Sequence, residues 1–179
     1  WLSQQQGLAP FYIEKDGDIS GYATEALGYR LPTEAEWAWA ARWHKGKMAK
    51  FLWGKALIPA QKTSNIADGS AVKNLPRVLR GYNDGFAVSA PVGSLLANEK
   101  GLYDMGGNVA EWVNDYYSIA VNVSGSVEND PIGPSKGQFK IVRGASWRHS
   151  GMTELRLSYR DYSDSARDDL GFRIARYAE

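Results

Sequence analysis

Asp104 and Glu111 stand seven positions apart in the segment GLYDMGGNVAEW, Gly101 to Trp112. Both supply hard, charged oxygens. Between them, Gly106 and Gly107 let the backbone turn tightly enough to aim main-chain carbonyls at the same point. Several oxygens, some from carboxylates and some from carbonyls, are what a calcium ion binds. The competing reading is an ordinary turn before a β-strand, since glycine pairs punctuate turns generally.

A second concentration of chemistry lies downstream. Arg148, His149, Glu154, Arg156, Tyr159, Arg160, Asp161, Tyr162, Asp164, Arg167 and Asp168 crowd one short stretch. Arg and Tyr dominate binding hot spots. The alternative is a network of ion pairs that pins loops. His149 is one of two histidines in the chain. Either it is a general base or it is a surface side chain held by a hydrogen bond.

The elements that must position these residues can be read locally. Thr33 is a good N-cap, and Glu36 three residues later completes a capping box. Glu34 and Glu36 fall in the first turn and Arg42 near the end, matching the helix dipole. A helix is predicted from about Thr33 to Trp43. Gly107 to Tyr117 reads as a strand, with Val109, Glu111, Val113 and Asp115 alternating with Asn108, Ala110, Trp112 and Asn114. Phe139 to Trp147 and Leu170 to Tyr177 read as further strands, and Phe11 to Ile13 as a short one before a turn at Lys15 to Asp18. Phe51 to Ala90 lacks periodicity and is read as a long irregular region; such regions are usually functional or held by something. Ser118 to Gln138 reads as a surface loop, in which Asn122-Val123-Ser124 fits a glycosylation acceptor. Short strands, one strong helix and much irregular chain predict an α+β domain.

Bulk properties narrow the classes. The 179 residues suit one domain, and a net charge of +1 gives no nucleic-acid footprint. No apolar run approaches the roughly 18 residues of a membrane-spanning helix. There is no cysteine, so disulfides, thiolate metal sites and cysteine nucleophiles are excluded. Seven Trp and ten Tyr point to an aromatic core in a loop-rich fold. The chain opens on Trp1 without Met and shows no signal peptide, so a processed product or part of a longer chain is expected.

Several landmarks then fall into one order: YRLPTEAEWAWAAR from Tyr29, Trp53-Gly54, Asp84-Gly85-Phe86, APVGS from Ala90, GLYDMGGNVAEW, VRGASW from Val142, and LGFR from Leu170. In type and order they resemble the formylglycine-generating enzyme family, also called sulfatase-modifying factor proteins. The resemblance runs from about Leu27 to Arg176. It implies an irregular variant of the C-type lectin fold, a single domain over residues 1–179 with the family's N-terminal strands missing, and one or two bound calcium ions. By that resemblance one calcium site uses Asn65 and Ile66 with Asp84 and Phe86. The second uses Asp104 and Glu111 by carboxylate and Gly107 and Val109 by carbonyl. The Ile66 to Asp84 spacing is long for the family. The resemblance also implies a structural, ion-paired role for Arg143, Arg156, Arg160 and Arg173, which stand where the family tends to have Arg.

The resemblance also removes an activity. Family enzymes oxidise a substrate cysteine with two cysteines of their own that bind copper. Here His149 and Glu154 stand near those positions, and they cannot reproduce thiolate ligation of a soft metal. No copper is expected. Two functions remain open. One is a non-catalytic, calcium-stabilised binding or scaffold module, presenting Trp147, Arg148, His149, Glu154, Tyr159, Asp161, Tyr162, Asp164 and Arg167 to a protein partner or other ligand. Such modules in the family are fused to kinases or diversified by retroelements. The other is a cysteine-independent oxidoreductase or tailoring enzyme using Glu154 or His149. An extracytoplasmic, bacterial setting is expected, because calcium is plentiful outside cells.

Overall fold

A computed structural model describes residues 1–119, 127–134 and 136–178. The Asn122-Val123-Ser124 tripeptide lies outside the described residues. Among the described residues no helix is long and apolar enough to cross a membrane. The architecture is mixed, with short strands and little helix. In chain order the elements are α1 (Leu2–Gln5), β1 (Tyr12–Lys15), β2 (Asp18–Tyr22), α2 (Glu34–Arg42), β3 (Trp43–His44), β4 (Lys47–Met48), a 3-10 turn (Gly69–Ala71), β5 (Ala110–Tyr116), β6 (Lys140–Arg143), β7 (Arg160–Ser163) and β8 (Leu170–Phe172).

The predicted helix forms for the predicted reason. The Thr33 hydroxyl accepts the Glu36 N–H at 3.2 Å, and Glu36 Oε2 accepts the Thr33 N–H at 2.8 Å. Together they satisfy two of the N–H groups that every helix start leaves unpaired. Glu36 does a second job: both its oxygens accept Arg30 at 2.6 Å. Arg30, buried beneath the rings of Phe11 and Tyr177, thereby ties the helix start to the chain end. Burial opposes this pair, but the hydrogen bonds outweigh it. The Glu36 carboxyl titrates below, and the Arg30 guanidinium above, its usual value.

Four strands make the central sheet, in the order β7-β6-β5-β8, with β5 and β8 parallel and the other pairs antiparallel. The alternation expected along β5 is not its burial pattern. Ala110, Glu111, Val113, Asn114 and Asp115 are all buried, because strands flank β5 on both edges and other chain covers both faces. The strand expected from Phe139 to Trp147 stops at Arg143, where Gly144 takes φ +79° beside the Trp37 ring. Leu170 to Tyr177 likewise pairs only through Phe172 and then makes one bridge, Arg30 to Ala175. Four strands were not foreseen, among them the two-residue pair β3 and β4 that follows α2 directly. β2 closes a hairpin with β1 through Asp16 and Gly17, both at positive φ, and the polar β7 pairs with β6.

Trp37, Ala41, Met105, Val113, Ile141 and Leu157 form one buried cluster between α2 and the sheet. Phe51, Ile66, Tyr82, Ala145 and Leu155 form a second. It lies under the long irregular region, which holds no strand and only the 3-10 turn.

Candidate functional site

The irregular region is organised by buried polar groups. Asn65, Asp68 and Asp84 are between 0% and 1% exposed. Asp84 receives the N–H of Ile66 at 3.0 Å and of Phe86 at 2.7 Å, and the Asn65 amide at 3.2 Å. Asp68 receives the backbone N–H of Asp84 and of Ser70. The Ser70 hydroxyl donates to the Phe86 carbonyl at 2.7 Å. Two carboxylates are thus buried side by side. Burial, and secondarily the charge of Asp68, pushes the Asp84 carboxyl up from its usual value. Lys62 reaches only the Asp84 carbonyl, and no cation pairs with either carboxylate among the described residues. Asn65 Oδ1 is buried without a hydrogen-bond partner. An orphaned oxygen beside crowded carboxylates is a donor set that suits a hard cation.

The second set differs. Asp104 sits at φ +62°, with Oδ2 accepting the Gly93 N–H and Oδ1 buried without a partner. Glu111, however, is already engaged. Arg173 donates to both its oxygens at 2.6 Å, and the Trp37 indole donates to Oε2 at 2.7 Å. A cation here would share Glu111 with a guanidinium. The two sets thus differ in charge pairing: the Asp84 carboxylate accepts only uncharged donors, whereas Glu111 accepts a guanidinium. Among the described residues no three His, Asp or Glu side chains cluster for a metal, so any site draws on carbonyls and the amide. Asp68 is not among the site residues expected from sequence; it meets Asp84 because the intervening chain folds back, with the Leu79 N–H donating to the Ala67 carbonyl at 2.7 Å.

The two sets touch. Asn108 N–H donates to the Asn65 carbonyl at 2.8 Å. Gly107 lies so close that an added Cβ would sit 2.5 Å from that same oxygen. From this junction the downstream segment hangs. Trp147 N–H donates to the Asn108 carbonyl at 2.8 Å, and Ala67 N–H to the His149 carbonyl at 3.0 Å. The loops that carry both oxygen-rich sets thus fix the backbone of residues 147 to 149.

The residues nominated beyond Trp147 divide into two neighbourhoods. In the first, the Arg148 guanidinium lies 4.4 Å over the Trp147 ring and pairs with Asp168. His149 meets Tyr159 edge-on at 6.5 Å. Tyr159 is held protonated by burial and by the charges of Asp161 and Glu154. Arg167 bridges Asp161 at 2.9 Å and Asp169 at 3.2 Å, and Asp169 accepts the buried Ser146 hydroxyl at 2.7 Å. In the second, Tyr162, on the opposite face of β7 from Asp161, packs on Tyr117 and Phe139. Asp164 lines a cleft with Tyr116 and Lys140. Of the arginines expected to be structural, Arg143, Arg160 and Arg173 are ion-paired, whereas Arg156 is exposed.

His149 and Glu154 are each engaged within their own loop. His149 Nδ1 accepts the Ser146 N–H at 3.0 Å, so that nitrogen's lone pair is committed. Glu154 Oε2 accepts the Gly151 N–H at 3.2 Å. None of the four described cavities is lined by either residue.

The sulfatase-modifying factor enzyme 1-like domain matches residues 1–178. The chain belongs to this family. It is 37% identical over 169 residues to the formylglycine-generating enzyme of Streptomyces coelicolor, an alignment covering 90% of this chain and 51% of that protein. It is 34% identical over 158 residues to the inactive C-alpha-formylglycine-generating enzyme 2 of Bos taurus, covering 83% of this chain and 44% of the relative. Among solved structures, Treponema denticola variable protein 1 superposes with a TM-score of 0.72 at 28% identity, over 97% of this chain and 64% of the other. This family member spans about half the length of the first relative. It has no cysteine.

Proposed function

We propose that this domain is a non-catalytic, calcium-stabilised binding module that presents the surface running from Trp147 to Asp169. One observation carries the reading. The backbone of residues 147–149 is hydrogen-bonded to Asn108 and Ala67, on the loops that hold the oxygen-rich sets. A cation bound by Asn65, Ile66, Asp84 and Phe86, with Asp68 behind them, would neutralise the crowded carboxylates and stiffen the base of the surface. A cation at Asp104, Gly107, Val109 and Glu111 would act on the same junction, in competition with Arg173.

The commitment of His149 and Glu154 to their own loop supports a binding role over an enzymatic one. A relative of similar sequence is itself named inactive. The surface chemistry, a guanidinium stacked on an indole beside a phenol and carboxylates, fits a protein partner with both aromatic and charged groups. A calcium-rich extracytoplasmic compartment is the setting such a module needs.

The test has two arms. The first is calcium titration followed by thermal melting, with metal analysis of the purified protein. A rise in melting temperature that tracks calcium and not magnesium is expected. The second incubates the chain with copper and a cysteine-containing peptide, followed by mass spectrometry. No conversion of the cysteine to formylglycine is expected. An unchanged melting temperature removes the calcium claim, and any conversion removes the non-catalytic one.

A further inference from the structure

A cavity of about 1030 Å³ lies against α2, the central sheet and residues 128–134. Three arginines line it from three elements: Arg42 in the last turn of α2, Arg143 at the end of β6 and Arg160 at the start of β7. Among the described residues only one carboxylate is paired with them. Glu34 accepts the Arg160 fork at 2.6 and 3.0 Å and lies 3.4 Å from Arg143.

The remaining cation chemistry is unsatisfied. The Arg143 side chain is 3% exposed. Its terminal nitrogens donate to the carbonyls of Leu157, Ser158 and Tyr159, and its Nε has no partner. Arg42 Nε is likewise buried without a partner, and among the described residues Arg42 makes no ion pair. Burial, with Arg42 and Arg160 nearby, pushes the Arg143 guanidinium down to about 10. Other carboxylates also line the cavity, but they are occupied or exposed. Asp115 accepts the Glu34 N–H at 2.7 Å, while Glu128 and Asp130 are exposed and pair with neither Arg42 nor Arg143. A buried N–H left without an acceptor is destabilising. The guanidinium groups also lie close enough to repel, and an oxyanion entering the cavity they line would offset that repulsion. Beside them, Ala35, Ala38 and Ile141 supply an apolar wall.

We propose that this cavity binds a small molecule through an oxyanion, a carboxylate, sulfate or phosphate group seated between Arg42 and Arg143, with any organic remainder along the alanine face of α2. The site needs no calcium and none of the side chains from Trp147 to Glu154, although Ser158 and Arg160 of the proposed binding stretch line it.

Isothermal titration of the calcium-saturated chain at neutral pH tests it with two probes, inorganic sulfate and benzoate. One-to-one binding of at least one probe is expected. Sulfate alone would mark a bare-anion site, and tighter benzoate a site that also uses the apolar wall. Arg42→Gln weakens binding at least about tenfold, the scale of one charged hydrogen bond. Ala38→Phe, which fills the cavity without touching charge, does the same, while Arg77→Gln, at an exposed arginine elsewhere, leaves binding unchanged. Circular dichroism confirms that each variant is folded. No heat from either probe, or wild-type affinity in both Arg42→Gln and Ala38→Phe, overturns the proposal.

Discussion

Replacing Asp115 by Asn should reverse part of the protein's pH dependence. Asp115 is 6% exposed on β5. Its Oδ2 accepts the Glu34 N–H at the start of α2 at 2.7 Å, and Gly133 packs against its other oxygen. Burial first, and the nearby Glu34 charge after it, push its carboxyl up from 3.8 to about 6, although the Glu34 N–H and Lys140 oppose the change. The native state therefore holds this proton more tightly than the unfolded chain does. Stability is greatest below the unfolded value and falls as pH rises from about 4 through about 6, opposite to a salt-bridged aspartate. A rise of about two pH units corresponds to about 3 kcal/mol. That is a large share of the ~5–15 kcal/mol that holds a domain folded. Asn keeps an oxygen to accept the Glu34 N–H and has no charge to bury. Urea denaturation of both chains at pH 4, 5, 6 and 7, at fixed saturating calcium, yields the difference in stability at each pH. Groups that titrate alike in both chains cancel. The variant should gain about 2–3 kcal/mol on the wild type between pH 4 and pH 7. A flat difference, or a variant that loses ground as pH rises, refutes the account of Asp115 as a buried, strained carboxylate.

Three further outcomes follow from the loop cluster. Asp84→Asn should abolish the rise in melting temperature with calcium, because it removes the charged ligand of the first set; a full response in the variant would move the ion elsewhere. Gly107→Ala should cost on the order of 1–3 kcal/mol in urea denaturation, since its Cβ would meet Asn65 backbone atoms at 2.5 and 2.8 Å. Neutral behaviour there would mean the two loops do not pack as described. Arg173→Met should cost about 3–5 kcal/mol without calcium, by stranding the buried Glu111 charge, and less with it. A calcium-independent loss, read from paired denaturation curves, would exclude an ion at Glu111.

Where the sequence was legible, the deciding interactions were local. Thr33 and Glu36 are three residues apart, so the capping box is visible in the string and its helix formed within a residue of expectation. β7 was not visible, because Arg-Asp-Tyr-Ser carries no apolar alternation and becomes a strand by pairing with β6. The same distinction divides the candidate site. The oxygens of Asp104 and Glu111 lie in one motif, but the partner that occupies Glu111 is Arg173, 62 residues away. Asp68 and Asp84 are crowded together only because the intervening chain folds back, with Leu79 donating to the Ala67 carbonyl. Composition could count the carboxylates; it could not show which ones lack a cation.

That accounting of charge is the physical thread of the molecule. With little regular structure, the fold must satisfy its buried backbone through side chains. Much of this falls to a few ionised groups: Glu36 on Arg30, Glu111 on Arg173, and Arg143 on three carbonyls. Such pairs hold loops in place when complete and become costly when one partner is missing. The places where the pairing is incomplete are therefore the informative ones. Asp68 and Asp84 have too much negative charge and an idle amide oxygen beside them. Arg42 and Arg143 have too much positive charge and two idle N–H groups. A chain that spends ion pairs so consistently elsewhere has a reason to leave these two unfinished. On the two proposals made above, a cation completes the first and an anion the second.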